Sequence, residues 1–177
     1  TDVLDYTAFN APAPAVPSNI ELNQLANNTP WNDVIFTGTS HTIAIDEGAW
    51  DHLAGTGYGD YLGAFNQSGL CSGMIMYSGK RESLSITAFG DDLTTSVTTE
   101  GFIQNEYMSF RLYRPSTQEE FVITATFDPD LPDADRYHVN GLSKITDMMM
   151  AATDIGENGL GDVEIYPNTA RDLEMIK

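Results

Sequence analysis

Basic residues and cysteine are the scarce components of this chain. Lys and Arg total 8 against 26 Asp and Glu, a formal net charge of −18. A field of that sign repels phosphate backbones and anionic membrane surfaces, so nucleic acid and membrane insertion are not expected partners. The single cysteine, Cys71, rules out a disulfide within the chain. It stands between Leu70 and Ser72 with no histidine at catalytic spacing, so a small buried hydrophobe is the expected role. No apolar run approaches the roughly 20 residues that a membrane-spanning helix needs. Thr1 opens a polar, acidic stretch rather than a secretory leader, and an exported chain is expected to have lost one by processing.

Catalytic signatures are missing too. There is no Gly-x-Ser-x-Gly elbow, no phosphate-cradling glycine loop and no histidine-rich metal pattern. His41, His52 and His138 are scattered, and His41 shares a strand face with Ile43 and Ile45, as a hydrogen-bonded, partly buried histidine would. The chain is therefore expected not to be an enzyme.

What the sequence does have is alternation. His41, Ile43 and Ile45 fall on one side of a strand; Leu84, Ile86 and Ala88 do the same. Met108, Phe110 and Leu112 alternate with Ser109, Arg111 and Tyr113, and Phe121, Ile123, Ala125 and Phe127 alternate with Val122, Thr124 and Thr126. A period of two marks half-buried strands. Turn signals separate them: Asn66-Gln67-Ser68-Gly69, Gly79-Lys80, Gly90-Asp91-Asp92 and Asp128-Pro129-Asp130. Gly59 to Phe65 and Cys71 to Tyr77 read as a hairpin, with Asp60 capping local amides and Gly63 and Gly73 marking close backbone approach. The segment around Asp147-Met148-Met149-Met150 reads as a buried strand rather than a helix. The pattern predicts an all-β fold, an antiparallel β-sandwich of jelly-roll or immunoglobulin-like type, with extended terminal segments.

Three regions follow. Residues 1–30 hold a short alternating stretch and a Pro/Ala spacer, Pro12-Ala13-Pro14-Ala15-Val16-Pro17. Residues 31–155 hold the strands, and 156–177 a glycine-rich linker and a terminal strand. In the first region Val3, Leu4, Tyr6 and Phe9 are candidate assembly residues, because Leu4, Tyr6 and Ala8 make one apolar face that an open sheet edge would accept.

Two candidate ligand sites stand out. Asp128, Asp130, Asp133 and Asp135 lie within eight residues, which suits either a calcium loop or a solvated turn; the spacing is not that of an EF-hand. Trp31, Trp50, Tyr58, Tyr61, Tyr77, Tyr107, Tyr113 and Tyr137 offer rings for stacking on sugars or for core packing.

The ordered landmarks Trp31, Thr37-Gly38-Thr39-Ser40-His41-Thr42-Ile43, Gly59-Asp60-Tyr61-Leu62-Gly63-Ala64-Phe65, Gly69-Leu70-Cys71-Ser72-Gly73, Ala88-Phe89-Gly90-Asp91-Asp92, Glu100-Gly101-Phe102, Asn105-Glu106, Tyr113-Arg114-Pro115 and Glu119-Glu120-Phe121 resemble a β-sandwich module of secreted and surface proteins of Bacteroidota. That resemblance implies no catalytic residues. Asp162-Val163-Glu164-Ile165-Tyr166-Pro167-Asn168 is similar to the start of a sorting domain of type IX secretion substrates, although Thr169 stands where a second proline is usual. Both resemblances imply an extracellular or cell-surface location. The expectation is an extracellular structural protein that assembles head to tail into a filament, layer or adhesive matrix. The alternative is a module that binds an extracellular glycan.

Overall fold

The structure, a computed structural model, describes residues 25–95 and 98–151. Its strands are β1 Ser40–Ile45, β2 Tyr61–Phe65, β3 Cys71–Met76, β4 Leu84–Phe89, β5 Ser109–Arg114, β6 Glu119–Phe127 and β7 Leu142–Met150. All seven join in one hydrogen-bonded order, β3-β2-β5-β6-β7-β1-β4. Neighbours are antiparallel except β1 and β7, which run parallel with Ile43 opposite Ser143 and Ile45 opposite Ile145. The all-β expectation holds, and so does the strand at Asp147 to Met150. The arrangement differs from two stacked antiparallel sheets: it is one mixed sheet, nearly closed into a barrel. Alternation tells which side chains face inward, and those sides are as expected; it does not tell whether the inward faces belong to two sheets or to one sheet curled on itself.

The inward faces make the core. Ile43 and Ile45 from β1, Leu62 and Ala64 from β2, Ile86 and Ala88 from β4, Phe110 and Leu112 from β5, Ile123 from β6, and Ile145 and Met148 from β7 are buried together. Leu84 and Phe121 are partly buried against them. Burying a side chain of this size stabilises the fold by about 1.5–3 kcal/mol. Extra residues, Ser72 in β3 and Thr146 in β7, sit where the pairing slips by one, and such bulges bend strands.

The seam lies between β3 and β4, joined through residues 77–83. No ladder links them, but Gly73 packs directly on Ile86, Thr87 and Ala88, and a Cβ there would fall 2.9 Å from Ile86 Cγ2 and 3.0 Å from the Ala88 Cα. The expected close approach at Gly73 is thus the point where the barrel closes.

One end of the barrel is plugged by Ala49, Trp50 and Leu53, with the Trp50 and Tyr77 rings stacked at 4.3 Å. At that end Asp60 accepts from the Gly57 amide (3.1 Å) and pairs with Arg114 (3.5 Å). The other end carries the chain into β1 and the loops after β2, β4 and β6.

Residues 25–37 run across the outside as a strap. Ala26 and Val34 make a second apolar cluster with Phe65, Cys71, Met74 and Phe89, and Leu25 and Trp31 pack onto it. This is why β2 is buried on both faces and does not alternate. Asn32 fastens the strap to β3: the Cys71 amide donates to Asn32 Oδ1 (2.9 Å), and Asn32 Nδ2 donates to the Cys71 carbonyl (3.0 Å). A side-chain amide here does what a neighbouring strand would do.

Candidate functional site

The outer face of β2, β5 and β6 holds a groove of about 760 Å³ beside the strap. Trp31 is seated over Gly63; a Cβ at that position would lie 2.8 Å from the indole and 2.8 Å from the Phe65 ring, so glycine is what admits the tryptophan. The Trp31 indole meets Phe65 edge-on at 5.1 Å and Tyr113 at 6.2 Å. Its Nε1–H donates to Glu120 Oε2. Glu120 also takes a bond from Arg111 Nη1 at 3.1 Å, and the Arg111 guanidinium lies 4.5 Å from the Phe65 ring centre. Asn32, Gly69 and Gln118 complete the wall. Aromatic faces fringed by an arginine, a carboxylate and two amides suit a ligand that stacks and hydrogen-bonds.

Among the other rings singled out in the sequence, Trp50, Tyr61 and Tyr137 are buried, while Tyr58 and Tyr107 are exposed. The Arg136 guanidinium lies 3.8 Å from the Tyr107 ring centre and also bonds its hydroxyl.

The four aspartates of the 128–135 stretch go separate ways. Asp128 Oδ1 accepts from the Asp130 amide (3.0 Å) in a local turn. Asp133 Oδ2 accepts from the Leu142 amide (2.8 Å) and so pins the start of β7. The Asp135 carbonyl takes the Met108 amide (2.9 Å). Among the described residues no three of His, Cys, Asp and Glu come together as a metal site. The assembly residues Val3, Leu4, Tyr6 and Phe9 lie outside the described residues, as does the segment resembling a sorting domain.

Groups with reactive chemistry serve the fold. Cys71 is buried, and desolvation pushes its thiol up to about 12, with the Gly73 carbonyl and Arg111 opposing. A thiol held so far from ionisation is a poor nucleophile. His41 is buried as expected: Nδ1 lies 3.1 Å from both the backbone nitrogen and the carbonyl oxygen of His138, and Nε2 lies 2.8 Å from Ser143 Oγ. Burial lowers its pKa, with the His138 carbonyl and then Asp133 pulling the other way.

Glu106 is a sequence landmark whose role the sequence did not supply. Its buried carboxylate takes the Gln67 amide on Oε1 and the Ile103 amide on Oε2, each at 2.8 Å, tying the β2–β3 turn to the loop before β5. Asn66 adds a second tie, donating to the Gly101 carbonyl (2.9 Å) while its Oδ1 takes the Leu70 amide (2.9 Å).

No protein-family model matches the chain, and neither a curated protein nor a solved structure does.

Proposed function

We propose that the chain is a non-catalytic binding module of the cell exterior whose Trp31 groove takes a glycan. The observation that carries this is the convergence of Trp31, Tyr113, Arg111 and Glu120 on one face, each fixed by a partner from a different element. A sugar presents a C–H face for the rings and hydroxyls for the Arg111–Glu120 pair and the amides. Fixing these groups beforehand lowers the ordering cost of binding. The excess of carboxylates favours neutral over acidic polysaccharides.

Electrophoresis through gels holding neutral or acidic polysaccharides tests the reading. Retardation by a neutral polysaccharide is expected, weakened by Tyr113→Ala and Gln118→Ala, which leave the strap in place. A Trp50→Phe variant makes Trp31 the single indole, so its emission should shift on binding. Unretarded wild-type chain across all the gels would overturn the proposal.

Self-assembly is a second reading, favoured by the sheet order. Among the described residues β3 and β4 each have a ladder on one side alone, and a one-sided strand can accept an added one where the two do not abut at the seam.

A further inference from the structure

The loop-bearing end of the barrel holds a second cavity, of about 450 Å³. Its volume falls in the range of small-molecule sites, which favour the mouths of β-barrels. The floor is apolar: the Phe102 and Tyr137 rings stack 5.3 Å apart and 9° from parallel, both buried. The rim is apolar as well and faces water. Leu93 is 89% exposed, Ile103 54% and Val139 46%, and all three line the same cavity. Single exposed apolar residues need no explanation, but several around one concave floor mark a site.

Two polar features accompany this lining. The Tyr137 hydroxyl and Thr39 Oγ1 are both buried beneath Gly90, and neither completes a hydrogen bond of regular geometry. Burial pushes the Tyr137 phenol up, with Thr39 opposing, so at neutral pH it stays a donor. Carboxylates stand at the wall. Asp92 is held below the usual carboxylate range by the Thr94 amide (2.9 Å) and hydroxyl (2.7 Å). Asp91 Oδ1 takes the Glu100 amide (2.8 Å), which fixes the loop. Among the described residues no Lys or Arg lines the cavity.

We infer that this cavity binds a small amphipathic amine, its apolar part against Phe102 and Tyr137 and its ammonium beside Asp91 and Asp92. Charge decides the class. A fatty or aromatic acid would bring a carboxylate next to two others, inside a chain of net charge −18. An ammonium there meets its counter-charges instead. The site lies on the loop-bearing end and the Trp31 groove on the outer face of β2, β5 and β6, and the two share no lining residue. The inference therefore stands or falls independently of glycan binding.

The test uses the full chain with 2-phenylethylamine, 2-phenylethanol and 3-phenylpropionate, followed by chemical shifts and by melting temperature. The amine should bind, the alcohol more weakly, and the acid not at all. Leu93→Ser with Ile103→Ser removes exposed rim groups and leaves the core intact; it should weaken the amine by about tenfold or more. Asp91→Asn with Asp92→Asn should abolish the preference for amine over alcohol while the alcohol still binds. Tyr113→Ala should leave all three affinities unchanged. Equal binding of acid and amine, an amine affinity indifferent to the rim variant, or no shift at Phe102 and Tyr137 would each overturn the inference.

Discussion

Gly73 of β3 rests against the Thr87 carbonyl oxygen of β4, and no Cβ fits between them. The two strands bound the sheet order, so this contact lies where the curled sheet meets itself. Ile86 Cγ2 and the Ala88 Cα crowd the same spot, and two of the three neighbours are backbone that cannot turn aside. Gly73→Ala should destabilise the fold by about 1–3 kcal/mol, as overpacking of a tight core does. Urea unfolding reads it; a variant as stable as the wild type would show that the seam opens freely. Gly63→Ala should instead unseat Trp31 and be read in its fluorescence.

Much of this was legible in the sequence. The faces of β1, β4, β5 and β6 follow from alternation, and the β2–β3 hairpin from its turn residues. The burial of Cys71 and His41 and the cap at Asp60 follow from their local settings. Pairing between distant strands was not legible. β1 and β7 lie some hundred residues apart, and no local signal distinguishes a parallel neighbour from an antiparallel one. The Trp31 groove was hidden for the same reason. Its Trp31–Glu120 bond spans 89 positions, and Glu120 reads locally as an exposed strand residue. The barrel-mouth cavity gathers Thr39, Leu93, Ile103 and Val139 from four separate stretches, each unremarkable alone.

His41 and His52 should give opposite pH slopes. His41 is neutral in the fold, its pKa lowered by burial from 6.5, while the His138 backbone, Asp133, Ser143 and Tyr137 pack around it. The unfolded chain then binds the proton more readily, so stability falls as pH drops below 6.5 towards the folded value. His52 behaves in the other sense. Its bond to Asp147 (2.7 Å) raises its pKa, and that stabilisation is present below 6.5 and lost as pH rises through the folded value. Because His52 is exposed, the screened pair contributes little. Chemical denaturation across pH 5–8 should show the His41 slope dominating. His41→Gln should flatten the acid limb, whereas His52→Ala should leave it unchanged.

Calcium is the next point. The carboxylates of Asp128 and Asp133 accept backbone amides, from Asp130 and Leu142 respectively. Asp133→Ala should therefore lower stability by about 1–3 kcal/mol, the cost of leaving a backbone amide without its acceptor. Asp130→Asn should be near neutral, and the melting temperature should be the same with and without a chelator. A melt that drops on chelation, and ceases to do so in Asp130→Asn, would assign calcium to this turn after all.

Assembly can be tested at the N-terminus. In an extended strand Leu4, Tyr6 and Ala8 would share an apolar face, with Val3 and Phe9 on the opposite side. Pro12, Pro14 and Pro17 cannot donate to a ladder, so pairing of residues 3–9 with an edge should end near Asn10. The spacer then adds a reach of about 3 Å per residue before the strap begins. Among the described residues β3 and β4 each lack a ladder on one side, but they abut at Gly73, and at Cys71 the Asn32 amide already occupies the main-chain groups. Addition is therefore expected only along the parts of β3 and β4 away from Cys71 and the Gly73 contact. Donor and acceptor surfaces differ, so the contact is head-to-tail and propagates unless its rotation closes a ring. Deleting residues 1–10 should abolish polymers seen by electron microscopy while leaving a folded monomer, since the buried core among the described residues is built from positions 26 to 148. Leu4→Asp with Tyr6→Asp should have the same effect, because two unpaired charges would enter apolar pockets. Polymers that persist through both changes would rule out strand exchange by this segment and direct attention to the exposed Ile35 and Phe36 of the strap.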